Sequence, residues 1–291
     1  MRRFVLAVVL GGAAPLAAQT PGTDIWLADL SVRDGRVAVG KPANVTARAG
    51  YDNQPAFLPD GSGFLYTRIG ADGQADIWRY QIAQRRTSAV ITTPESEYSA
   101  TPQRGGRAFT VVRVERDSTQ RLWRFAPPDS PTVVLKDLKP VGYQAWTDAG
   151  TVVTFVLGDP NALVVADVGT GRADTAARNI GRALQPVPGR PAVSFVERVD
   201  STEAWLAEVN VINRETKRLV RLPPRAEFHV WTPLGIALTT DGAMVFQWDP
   251  VGGQPWTPVI DLAAEGLRGA TRLAVSAKGD RLAIVARDPP P

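Results

Sequence analysis

Apolar residues in this chain fall in short runs, some alternating with polar positions and some continuous, and each run stops at a cluster of turn-forming residues. FLYTR from Phe64 is followed by DIWRY from Asp76; later come TVVTFVL from Thr151 and PAVSFVE from Pro191. The breaks are PDGSG, RGG, TDAG, PGRP, TDG and AKGD, where glycine accepts a positive φ at no steric cost. Such runs predict strands. Helical periodicity is nearly absent, and DLAAEGLRGA from Asp261 is the one stretch with a helical alternative.

The runs also repeat. Trp78, Trp123, Val164, Trp205 and Phe246 stand 45, 41, 41 and 41 residues apart; Phe57, Thr101, Trp146, Pro186, Trp231 and Val275 stand 44, 45, 40, 45 and 44 apart. Two independent markers with one period, and room in each unit for four short strands, predict a β-propeller. The expected fold is all-β: a six-bladed propeller of four-stranded antiparallel blades, forming a single domain over 19–291. The blades fall at about 45–92, 93–137, 138–178, 179–222 and 223–262, and the last combines 263–287 with 23–44. TDIWLADL from Thr23 carries its own Asp-Ile-Trp, with Trp26 in the repeat's position. The N-terminal strands are therefore expected to pair with the C-terminal ones and close the ring, which leaves no open sheet edge. Trp78, Trp123 and Trp205 then fill space between blades, and Trp248 and Trp256, out of register, are read as structural too.

The N-terminus changes the picture in one respect. MRRFVLAVVLGGAAPLAAQT has a basic head, a compact apolar run and a small-residue exit. That is the layout of a secretory signal peptide, with cleavage after Ala18. Its apolar run is too short, and too rich in Gly and Pro, for a span of about 20 residues. The expected mature chain is periplasmic or secreted, monomeric and without a transmembrane segment. It contains no cysteine, so a large core rather than disulfides must stabilise it. The formal charge of +4 includes Arg2 and Arg3 of the signal, and no basic run interleaved with aromatics points to nucleic acid.

PAFLPDGSGFLYTRIG followed by ADIWRY resembles the repeat of TolB-like propellers. Pro55, Phe57, Pro59, Asp60 and Gly61, and later Asp76, Ile77 and Trp78, match its pattern, while Leu58 replaces the usual serine. The last unit keeps Ser276 and Gly279, and the other units have drifted. The resemblance implies a non-catalytic binding or scaffold protein of the bacterial envelope whose partner is an envelope protein or peptide. It leaves no room for the additional N-terminal domain of the best-known member, so that protein's own partner does not carry over. Similar blades accompany the hydrolase domain of prolyl-oligopeptidase-type peptidases, and no such domain is expected after Ala286. The sequon Asn44-Val45-Thr46 is incidental in a bacterial protein.

Candidate chemistry is limited by the single histidine, His229, on the expected inner strand of the fifth blade. A Ser-His-Asp triad would need it, and no Gly-x-Ser-x-Gly elbow is present. A zinc site lacks companions, and nucleotide fingerprints are missing. His229 is read as a satisfied, half-buried strand residue, with a ligand role as the alternative. Residues entering the inner strands are expected to crowd one end of the channel: Tyr51, Asp52 and Asn53, Glu97 and Tyr98, Tyr143, Arg182, Glu227, and Thr271 with Arg272. Acids, arginines and tyrosines in one ring suit a polar ligand or a peptide better than a metal cage; the plain alternative is a set of solvated loop residues. No catalytic or metal-ligating residue and no cofactor is assigned, with calcium in the channel as the alternative. Two readings stay open: a protein- or peptide-binding module, or a channel-centred hydrolase or lyase, with or without calcium, for a small polar or sugar substrate.

Overall fold

In the computed structural model, which describes residues 22–148 and 150–287, every regular element is a strand. The expected signal peptide and the tail from Asp288 lie outside the described residues. Three strands come first: β1 (Thr23–Arg33), β2 (Arg36–Val39) and β3 (Ala43–Asn44). Blade 1 follows as β4 (Asp52–Phe57), β5 (Gly63–Ile69), β6 (Ala75–Gln81) and β7 (Arg86–Ile91). Blade 2 is β8 (Ser96–Pro102), β9 (Phe109–Val114), β10 (Gln120–Phe125) and β11 (Thr132–Val133). Blade 3 is β12 (Val141–Trp146), β13 (Thr151–Val156), β14 (Ala162–Asp167) and β15 (Ala173–Arg178). Blade 4 is β16 (Ile180–Pro186), β17 (Ala192–Arg198), β18 (Ala204–Asn210) and β19 (Thr216–Arg221). Blade 5 is β20 (His229–Trp231), β21 (Ala237–Thr240), β22 (Met244–Trp248) and β23 (Thr257–Asp261).

The sixth blade is the composite one. β24 (Arg272–Val275) and β25 (Arg281–Arg287) join β1 and β2 in the order β2-β1-β25-β24, with β3 also on β1. β1 and β25 run antiparallel from Thr23↔Arg287 to Asp29↔Arg281. This pairing closes a six-bladed propeller of four-stranded antiparallel blades. Thr23 fastens the seam: its N–H donates to the Gly50 carbonyl at 2.9 Å and its hydroxyl to the Asp52 carbonyl at 3.0 Å. The stretch from Asp261 forms turns instead of a helix. Asp261 Oδ1 accepts the N–H groups of Ala263 and Ala264, and Leu267 N–H donates back to the Leu262 carbonyl.

The core is six slabs between neighbouring blades. Leu58, Leu65, Ile77 and Val111 join blades 1 and 2, and Leu122, Leu135 and Val152 join 2 and 3. Phe155, Leu163, Phe195 and Val209 join 3 and 4, and Leu206, Leu222 and Trp231 join 4 and 5. Leu238, Leu262, Leu282 and Ile284 join 5 and 6; Ile25, Phe64, Tyr66 and Val285 join 6 and 1. The second strand of a blade is covered on both faces. That is why FLYT, TVVTFV and LAIVA read as continuous apolar runs rather than the alternation of a half-exposed strand.

Two details of the repeat differ from the sequence register. The residue of blade 2 equivalent to Phe57 is Pro102, not Thr101, because Gln103 makes the turn contact that Leu58 makes in blade 1. Trp78 and Trp123 share a position, each beneath the arginine two residues after its cross-strand partner, Arg68 at 4.2 Å and Arg113 at 4.6 Å. Trp205 is displaced: it pairs with Glu197, and Ala207 holds the equivalent place opposite Phe195. Its indole lies near Arg218 of the neighbouring strand β19 and donates to Glu203. Trp248 is buried beside Trp231, and Trp256 caps it while donating to the Arg221 carbonyl.

Candidate functional site

The first strand of every blade lines a central channel and all six run in the same direction, so their N-terminal ends meet at one mouth. The channel holds a cavity of about 540 Å3 bounded by all six inner strands. Of the residues expected here, Tyr143, Arg182 and Arg272 line that cavity, and so does His229. Tyr51 stands close enough to Arg272, Tyr143, Tyr98 and Arg182 to couple electrostatically to each of them. Burial pushes the Tyr51 phenol up to about 12, against the opposing pull of Arg272, and burial also raises Tyr98. Both phenols therefore stay protonated and can donate. Phe228, which the sequence reading passed over, is part of the mouth: the Arg272 guanidinium lies 3.9 Å from its ring centre.

The acids of the set do not share this space freely. Successive strand residues point to opposite faces, so where Tyr51 and Tyr98 approach the mouth, Asp52 and Glu97 point into the blades. Asp52 accepts from Arg48 Nε at 3.1 and 3.2 Å and from Nη2 at 2.8 Å. Glu97, wholly buried, accepts from Arg113 Nε at 3.0 Å and from the Thr93 hydroxyl at 2.6 Å. Burial raises both carboxyls despite their arginines. Asn53 is buried at the seam, where its amide accepts from Gln54 N–H and donates to Thr23. Glu227 stays near the mouth but is shared by Arg198 at 2.6 Å and Arg182 at 3.5 Å. Among the described residues, no three Asp, Glu, His or Cys side chains converge on a point that could hold a metal ion.

His229 is fully rather than half buried. Burial lowers its imidazole to about 3, so it is neutral at ordinary pH. Its Nε2 lies 2.6 Å from Ser194 Oγ. That hydroxyl donates to the Gln185 carbonyl at 3.2 Å and accepts the Trp231 indole N–H at 2.8 Å. These contacts assign the proton to Nε2, donating into the remaining lone pair of Ser194, and leave Nδ1 as a buried acceptor with no partner. A Ser–His pair acts as nucleophile and base when the serine is accessible and a third group orients the ring. Here Ser194 is fully buried and Nδ1 has no acid beside it.

Beneath the mouth a polar belt ties three blades together. Gln54 and Ser99, 45 residues apart, both sit at strand bulges with positive φ, 59° and 53°. Gln54 Oε1 accepts the Thr67 hydroxyl and the Ser99 N–H, both at 2.7 Å; the Ser99 carbonyl accepts Gln144 Nε2 at 3.1 Å. Gln144 Oε1 in turn accepts Thr110 and Trp146. Replacing Gln54 with alanine strands the fully buried Thr67 hydroxyl and leaves the Ser99 N–H only its longer bond to Thr67 Oγ1 at 3.2 Å. It is expected to lower stability by about 1–3 kcal/mol, read as a lower urea midpoint at unchanged slope.

No family model and no curated protein matches this chain. Solved structures do match in fold. A putative TolB from Agrobacterium tumefaciens is 14% identical over 91% of this chain and 98% of its own, with a TM-score of 0.71. A gluconolactonase from Xanthomonas campestris is 7% identical over 94% and 99%, with a TM-score of 0.64. An oligogalacturonate lyase solved in complex with manganese is 11% identical over 86% and 82%, with a TM-score of 0.58. The chain is thus a TolB-like six-bladed propeller by fold, and that fold is similar to both a putative TolB and to enzymes.

Proposed function

We propose that this chain is a non-catalytic propeller of the cell envelope, periplasmic or secreted, that binds a protein or peptide segment at the channel mouth. The observation that carries the reading is the make-up of that mouth: Tyr51, Tyr98, Tyr143, Phe228, Arg182 and Arg272. Tyrosine and arginine dominate interface energetics because they offer large, stiff contact area with a polar tip. The groups that catalysis would call on are occupied: Asp52 by Arg48, Glu97 by Arg113, Glu227 by two arginines, His229 by Ser194. The signal-like N-terminus supports export, and no helix among the described residues is long and apolar enough to cross a membrane.

The competing reading, a hydrolase or lyase acting on a small polar or sugar substrate, with or without calcium, draws on the likeness to the gluconolactonase and the lyase. A photoreactive phenylalanine analogue in place of Tyr98 separates the two when compared with one in place of Arg190, at the channel's other end. In envelope extract, the expected result is a discrete protein adduct from position 98 alone, unchanged by chelator. An adduct only from position 190, or none from either, contradicts the proposal.

A further inference from the structure

The Arg272 guanidinium is held in place but not neutralised. It lies 3.9 Å from the Phe228 ring centre and 5.0 Å from that of Tyr143, and Nη2 donates to the Tyr143 hydroxyl at 3.0 Å. Among the described residues that hydroxyl is its one hydrogen-bond acceptor, and no carboxylate lies within ion-pair distance of it. Arginine carries five N–H donors in a planar fork, so most of the Arg272 donor edge has no protein partner. The surroundings do not supply the missing charge either. Arg182 and Arg198 already share the single carboxylate of Glu227, so three guanidiniums meet one acid. Tyr51 and Tyr98, both protonated, add hydroxyl donors.

A planar guanidinium fork fits a planar carboxylate, two parallel N–H···O bonds at once. A phosphate dianion fits less well, because Glu227 would oppose its second charge. We propose that the mouth captures a carboxylate carried on an acidic peptide segment, seated on the open edge of Arg272 and flanked by the hydroxyls of Tyr51 and Tyr143. This deepens the reading of the mouth as a peptide-binding face and rests on it.

The test is titration of the full chain at low salt with three probes: a short capped peptide with two glutamates around a phenylalanine, the same peptide with glutamines, and free galacturonate. The acidic peptide is expected to bind about tenfold or more tightly than its glutamine counterpart. That preference should vanish in Arg272→Gln and survive in part in Arg272→Lys, which keeps the charge without the fork. Equal binding of the two peptides overturns the carboxylate site and leaves the peptide-binding reading standing. Arg272-dependent binding of galacturonate alone supports the carboxylate site and overturns the peptide as its carrier. Binding of no probe overturns both. Should Arg272→Gln fail to fold, salt decides in the unmodified chain: affinity for the acidic peptide must fall with added salt while that for the neutral one holds.

Discussion

Replacing Glu97 with alanine is expected to remove about 3–5 kcal/mol of unfolding free energy, against the 5–15 kcal/mol typical of a whole domain. The carboxylate is wholly buried and directly opposite Arg113 across the β8–β9 ladder. Arg113 is itself buried, its guanidinium 4.6 Å from the Trp123 ring centre and 5.1 Å from that of Phe125. Taking away the acid leaves a buried cation that the aromatic rings and the more distant Glu95 carboxylate, 3.9 Å away, offset only in part, and it removes the shortest acceptor of the Thr93 hydroxyl, which keeps only its longer contacts to Glu95. Arg113→Met should cost a similar amount by leaving the carboxylate alone. The double variant Glu97→Leu/Arg113→Met removes both charges together and is expected to regain most of the loss, because a buried pair contributes little over an apolar pair of similar volume. Urea denaturation of the natural chain, Glu97→Leu, Arg113→Met and the double variant measures the cycle. A Glu97→Ala cost below about 1 kcal/mol would show that the site is wetter than its geometry.

Acid should destabilise the protein through His229. The ring's folded value is about 3, while the unfolded chain has the ordinary value near 6.5. Below pH 6.5 the unfolded state binds the extra proton and the folded state does not. Stability therefore falls as pH drops through this window, by about 1.4 kcal/mol per pH unit and on the order of 5 kcal/mol in all by pH 3. Asp52 and Glu97 act with the opposite sign, since burial raises their carboxyls and protonation relieves that cost. The raw pH profile mixes the two effects. The difference between the natural chain and His229→Gln isolates the histidine, because the acids contribute equally to both. That difference should grow by about 1.4 kcal/mol per unit between pH 6 and pH 4; a flat difference would mean that the imidazole is solvated or partnered when charged.

The fold was legible because a propeller writes its period into the sequence. Turn glycines, the Asp-Ile-Trp phrase and doubly buried second strands each recur, and Trp26 marks the strand that closes the ring. What misled was phase. Trp205 matched the count while sitting two residues off the ladder position, because a tryptophan beside Arg218 looks the same in sequence as one beside Arg113. The mouth was legible as a place but not as a set of side chains. Tyr51–Asp52 and Glu97–Tyr98 are adjacent pairs, and alternation sends one of each to the channel and the other inward. Choosing between them requires knowing where the bulges at Gln54 and Ser99 shift the register. Phe228 was missed because a phenylalanine carries no polar signal, although its role is to hold a cation. Nor did the sequence distinguish a half-exposed His229 from a buried one, since the serine that meets it is 35 residues away.

The central claim is that recognition takes place where the inner strands begin. Hydrogen exchange of the free chain, compared with the chain bound to the partner captured through position 98, tests it most directly. The account predicts added protection at 51–54, 97–100, 142–145, 181–183, 227–229 and 271–273, with the other end at 187–191 unchanged. Protection confined to 187–191 and the neighbouring 102–104 would contradict it and move the site to the opposite end of the channel.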